Sequence, residues 1–170
     1  MHILSIMEQG HRILLDSIKG IGEEESAQAG ACELWSIKEV MAHIASSEAV
    51  LVDILVRLDD ATPTSDFDRW VADPDGFDVA AIARRQDLPL SRIVDEYQAY
   101  YETAIDLLLH LPDDKLRQQV PVPWGAGLRD AEDLIVGAFY GHKREHAAQI
   151  RAYRSGRMAM HIRRTIEFHV

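Results

Sequence analysis

The chain has 170 residues, 47% of them hydrophobic and 27% charged, which suits one soluble globular domain with a real core. Its formal net charge of −10 disfavours nucleic-acid binding, because an acidic surface repels phosphate backbones. Cys32 is the only cysteine, so an intrachain disulfide is excluded and a reducing, cytoplasmic setting is expected. No apolar run approaches the roughly 20 residues needed to cross a bilayer. Glu8, His11 and Arg12 break up the N-terminal pattern, so neither a signal peptide nor a membrane partner is expected.

In chain order, Ile3, Ile6, Met7, Leu14 and Ile18 recur at helical spacing and predict a first helix from about Ile3 to Lys19. Gly20, Gly22 and the acidic run Glu23-Glu24-Glu25 end it. Ser36-Ile-Lys-Glu39 is a capping box, in which the serine satisfies a free backbone N–H and the glutamate reaches back to the serine N–H. Leu34 or Trp35 before it can staple against Val40. The stripe Ile37, Val40, Met41, Ile44, Leu51, Ile54, Leu55 and Leu58 makes the second helix, closed by Thr62-Pro63.

Residues 61–90 read as an irregular crossover with one short helical piece around Phe77–Arg85. A third helix is predicted from Ser91 to Leu111, stopped by Pro112. Residues 112–129 read as loop around Trp124, with only a weak strand fragment at Gln119–Val122. A fourth helix is predicted from Asp130 to Tyr153. The expected fold is all-α: a four-helix bundle over 1–155 with a long crossover between helices 2 and 3, and a C-terminal tail over 156–170. Arg151, Arg154, Arg157, Arg163 and Arg164 make that end basic, and a solvated tail is the default. Met158, Met160, Ile162, Ile166 and Phe168 make it apolar enough to dock on its own bundle or on a second subunit, so a homodimer is expected.

His142 and His146 both fall on the apolar face of the fourth helix. Positions i and i+4 stand one above the other with Cβ atoms about 5–6 Å apart, so two imidazoles can share one ion. Buried histidines that are merely hydrogen-bonded are the competing interpretation. A third ligand can come from His43 on the second helix, or from His11 on the first. His2, His161 and His169 lie near the termini.

The stretch Trp35-Ser-Ile-Lys-Glu-Val-Met-Ala-His-Ile44 resembles the second-helix motif of the DinB-like (YfiT-like) proteins. His142-x-x-x-His146 followed by Ala-Ala-Gln-Ile-Arg resembles that family's fourth-helix motif. The resemblance runs over about residues 3–155. It implies a four-helix bundle holding a divalent metal on three histidines, at positions matched here by His43, His142 and His146. Family members include S-transferases that use low-molecular-weight thiols such as bacillithiol, and a mycothiol-dependent maleylpyruvate isomerase. A small-molecule thiol and an electrophile are therefore the partners the resemblance implies.

Three protein ligands leave a coordination position for substrate or water, whereas structural zinc sites are closed by four. Such an ion can bind a thiol as thiolate, or lower the pKa of bound water toward about 7. All-nitrogen ligation suits zinc or nickel, with iron also open. Glu48, Asp95, Glu102 and Asp106 are candidates to orient the imidazoles. His142-Lys-Arg-Glu-His146 also matches H-x-x-E-H, which would make Glu145 a general base in a metal-dependent hydrolase. A di-iron bundle would need two Glu-x-x-His motifs, and only Glu8-Gln-Gly-His11 fits. A non-catalytic helical module with structural histidines is the third reading. Tyr97, Tyr100, Tyr101, Trp124 and Tyr140 are candidate pocket-mouth aromatics, with ordinary core packing as the default, and Cys32 reads as a small packed residue.

Overall fold

The computed structural model describes residues 3–124 and 127–167, and from residue 157 onward the backbone alone. Helix α1 (Ile3–Ile18) is followed by a single helical turn, α2 (Glu23–Ser26), and a two-stranded ribbon of β1 (Ala29–Cys32) and β2 (Trp35–Ser36). Then come α3 (Ile37–Leu58), α4 (Asp66–Ala72), α5 (Pro74–Ala83) and α6 (Leu90–His110). A second ribbon, β3 (Gln119–Pro121) with β4 (Leu128–Asp130), leads into α7 (Ala131–Leu134). A π-helical segment over Ile135–Tyr140 joins α7 to α8 (Gly141–Glu167). The fold is the expected all-α bundle: α3 packs mainly on α6, and α1 mainly on α8.

The capping box forms as the sequence dictates. Glu39 N–H donates to Ser36 Oγ at 3.2 Å, and Ser36 N–H donates to Glu39 Oε2 at 2.7 Å. Of the two staple candidates, Leu34 is exposed, while Trp35 is partly buried against the core that holds Ile37 and Val40. α3 is buried on nearly every side and forms the centre of the molecule.

The crossover holds two helices where one was expected. The unexpected one, α4, starts under a tertiary constraint: the buried Asp53 carboxylate on α3 accepts from Thr64 N–H, Thr64 Oγ1 and Phe67 N–H. α5 begins on a local signal, with Asp73 Oδ1 accepting from Gly76 N–H and Pro74 in the first turn. Buried Arg85, just beyond α5, donates to both carboxylate oxygens of Glu96 on α6 at 2.7 Å and to Ser46 Oγ on α3 at 2.7 Å. That fork fixes α5 against α3 and α6.

Two further expectations are corrected. The loop regions carry two short antiparallel ribbons, of which only the Gln119 fragment left a pattern in the sequence. Strands this short show too little alternation to be seen. Arg151 and Arg154 do not belong to a solvated tail. Arg151 donates to Ile13 O at 3.2 Å, and Arg154 donates to Ser17 O at 2.9 Å and Lys19 O at 3.2 Å. The Arg154 guanidinium thus satisfies carbonyls at the α1 C-terminus, where Gly20 turns the chain at φ +75°. The α8 backbone continues past residue 155, and the remaining arginines and apolar residues of that end lie outside the described side chains.

One ion pair bridges α3 and α8 inside the bundle. Lys143 Nζ lies 2.8 Å from Glu48 Oε1 and 2.7 Å from Oε2, with both residues 1% exposed. The Tyr97 and Tyr101 rings of α6 lie 5.7 and 5.6 Å from the ammonium group. Removing one partner strands a buried charge, whereas removing both does not. Lys143→Met is expected to destabilise by about 3–5 kcal/mol, and the Glu48→Leu/Lys143→Met pair to recover most of that loss. Denaturant unfolding of the three proteins checks this, and additive losses would contradict it.

Candidate metal centre

His43 lies two turns into α3, and His142 and His146 open α8. Their ring nitrogens meet. His142 Nε2 is 2.8 Å from His43 Nε2 and 2.8 Å from His146 Nε2, and one ligand atom from each residue lies within 4.8 Å of the others. His43 and His146 are buried, and the Trp35 ring lies 5.2 Å from the His43 ring.

The phase of the two α8 histidines is set just upstream by the π-helical segment, a feature often found at functional sites. α1 approaches that segment closely at Gly10, where a Cβ would sit 2.9 Å from the Tyr140 ring. Tyr140 therefore lies across α1, with its hydroxyl donating to Gln9 Oε1 at 3.2 Å.

The outer nitrogens fix the tautomers. His43 Nδ1 is 2.8 Å from Asp78 Oδ1, and His146 Nδ1 is 2.8 Å from Gln149 Oε1. Donation of Nδ1–H to these acceptors leaves each Nε2 as a bare lone pair aimed at the shared point. Protonation does not relieve the clustering. Burial, then the His43, His146 and Lys143 charges, depress His142 to about 2. Burial and His43 also lower His146, against opposing help from Gln149, Glu145 and Asp78. Nitrogens sharing a tetrahedral zinc ion at about 2.0–2.1 Å stand about 3.3 Å apart, so the donor set fits a divalent ion once the rings separate by a few tenths of an ångström.

Two open cavities flank the histidines. One, of about 540 Å³, has Val50, Trp70, Trp124 and Phe139 on its wall, with the two tryptophan rings 5.2 Å apart and nearly perpendicular. The other, of about 550 Å³, has a mixed lining that is the more polar of the two: Cys32, Glu33, Leu34, Trp35, Asp78, Glu145 and Gln149. His43, His142 and Glu145 border both.

Among the other expected residues, His11 stands apart from the cluster. It stacks on Tyr101 with ring centroids 3.8 Å apart and shares a hydrogen bond with the Tyr97 hydroxyl at 3.0 Å. His110 is exposed at the end of α6, and His2, His161 and His169 lie outside the described residues or side chains. None of Glu48, Asp95, Glu102 and Asp106 orients an imidazole: Glu48 holds Lys143, Asp95 pairs with Arg92, and Glu102 and Asp106 are exposed on α6. Asp78 and Gln149 take that role. Gln149 had a signal, standing at i+3 from His146, whereas Asp78 reaches His43 only because the crossover folds back. Of the candidate aromatics, Trp124 lines a cavity, and Trp70, on the unexpected α4, lines it too.

The helical bundle and its three-histidine cluster define a class, and the comparisons agree with it. The chain belongs to the DinB superfamily, whose sequence model matches residues 6–150. Its fold is similar to the crystal structure of the mycothiol-dependent maleylpyruvate isomerase, with TM-score 0.68 and 12% identity, over 87% of this chain and 59% of that one. A histidine-to-alanine variant of that enzyme matches equally. The chain thus spans less than two thirds of the isomerase. No curated protein matches it by sequence. Among the described residues, no helix is long and apolar enough to cross a membrane.

Depressed histidine pKa values make the metal-free protein acid-sensitive. The unfolded chain takes up protons near pH 6.5, while folded His11, lowered to about 4 by burial and by Lys143, and folded His142 and His146 refuse them. Stability rises with pH wherever the unfolded state binds more protons. The melting temperature of metal-free protein is therefore expected to fall steadily as pH drops below 6.5 toward 4, and less steeply in His11→Gln. A flat profile over that window would contradict the assignment.

Proposed function

We propose that this chain is a metal-dependent enzyme that transfers a low-molecular-weight thiol to an electrophilic substrate, with one divalent ion on Nε2 of His43, His142 and His146. Zinc or nickel suits the all-nitrogen donor set, with iron next. The observation that carries the reading is the convergence of three imidazole nitrogens at a point bordered by two open cavities. Likeness of fold to a mycothiol-dependent enzyme supports the thiol. A bound divalent ion would supply the positive charge that favours thiolate over thiol at neutral pH.

The chain's own residues do the rest. Asp78 and Gln149 hold the imidazoles in the tautomer that presents Nε2. Trp35 covers His43 on one side. The tryptophan-lined cavity offers apolar surface to the electrophile, and the polar cavity admits the thiol. In the transfer, sulfur forms one bond to the electrophilic carbon, the thiol proton leaves to solvent, and the leaving group departs with its bonding electrons. Glu145 borders both cavities, which keeps a hydrolytic reading in play with Glu145 as base.

Protein purified without a nickel column is expected to carry about one divalent ion per chain. It should conjugate a model aromatic electrophile to a small thiol. His142→Ala and His146→Ala should lose both the ion and the turnover. Full metal content in both variants would remove this site. Ester hydrolysis that needs no thiol and fails in Glu145→Gln would favour the hydrolase.

A further inference from the structure

The two cavities differ in charge, and the difference bears on which thiol the protein takes. The polar cavity carries three carboxylates, from Glu33 on the β1–β2 turn, Asp78 on α5 and Glu145 on α8. Among the described residues, no lysine or arginine lines it. Its negative potential is felt inside. Burial first, and then the Glu33 and Glu145 charges, push the Cys32 thiol above its ordinary range. Asp78 is committed to His43, so Glu33 and Glu145 are the carboxylates available to an occupant. Among the described residues neither has a side-chain salt bridge.

We infer that the polar cavity selects its thiol by charge: it takes a small thiol bearing an ammonium group and discriminates against thiols bearing a carboxylate. The inference rests on the thiol-transfer reading and names its thiol class. The sulfur reaches the histidine cluster at the cavity floor, losing its S–H proton to solvent. The ammonium group stays at the mouth between Glu33 and Glu145. A carboxylate in the same place meets two like charges, and Cys32 and Gln149 offer it no countercharge. Exposed charges act modestly, each changing the affinity of either thiol by about twofold, so the two glutamates together change the ratio between a cationic and an anionic thiol by on the order of tenfold. The effect also fades with salt, as the screening length shrinks from about 10 Å at 0.1 M to about 3 Å at 1 M.

The test uses full-length cobalt(II)-loaded protein in a Cys32→Ser background, so that the added thiol supplies the cysteine-like sulfur. Cysteamine and 3-mercaptopropionate are titrated separately, following the near-ultraviolet absorption that a cobalt–sulfur bond adds, on samples of measured cobalt content. The affinity ratio of the two thiols is compared with the ratio in Glu33→Gln/Glu145→Gln, which cancels the thiols' different acidities. At low salt the ratio is expected to favour cysteamine about tenfold more with the glutamates than without them. Glu33→Gln alone, which leaves the α8 sequence untouched, should give about a third of that on a logarithmic scale or more. At 1 M salt the difference should vanish. The same ratio with and without the glutamates at low salt overturns the inference. If neither thiol adds the band to cobalt-loaded protein, the thiol-transfer reading falls, and the inference with it.

Discussion

Three imidazole nitrogens contributed by two helices must arrive at one point, and much of the bundle is organised around that requirement. α3 and α8 do not pack face to face along their length: α3 lies on α6 and α8 on α1. Their relative placement is held instead by a few polar fasteners. The buried Lys143–Glu48 pair joins them one residue beyond His142 and five beyond His43. Arg151 and Arg154 tie α8 to the carbonyls of α1, and the Arg85 fork seats α5 so that Asp78 reaches His43. Buried charges such as these add little net stability compared with apolar packing. In this chain they fall at the joints that bring the donors together.

The chemistry of the cluster follows from its burial. Desolvation keeps His142 and His146 neutral well below the ordinary histidine range, so their lone pairs are available throughout the physiological pH window. Ordinary buried histidines are satisfied by protein partners, whereas here two Nε2 atoms with fixed tautomers face a third. A cation would resolve that contact. Among the described residues the cluster has no fourth protein donor, which under the proposed reading would leave a coordination position for a substrate, and the cavities on either side open onto the same place.

Features with a local cause could be read directly from the sequence. The capping box at Ser36–Glu39 gave the start of α3 and with it the phase of His43. The i,i+4 pair needed only helical geometry. The choice between His43 and His11 could not be made from spacing, because both stand on apolar helix faces, and the family resemblance favoured His43. The tertiary fold shows why: His11 is taken up by Tyr97 and Tyr101. Features with a distant cause were hidden. α4 depends on Asp53, the orientation of His43 depends on Asp78 at a separation of 35 residues, and the role of Arg154 depends on the end of α1. The π-helical turn before His142 has no local signature comparable to a cap.

His43, His142 and His146 are proposed to hold one divalent ion jointly. X-ray diffraction from crystals of protein purified without added metal, collected on both sides of the absorption edge of the metal found in solution, addresses it most directly. A single anomalous peak bonded to all three Nε2 atoms is expected, at about 2.0–2.1 Å if the metal is zinc. Metal bound at another place, or full-occupancy protein crystals with no peak among the three imidazoles, would contradict it.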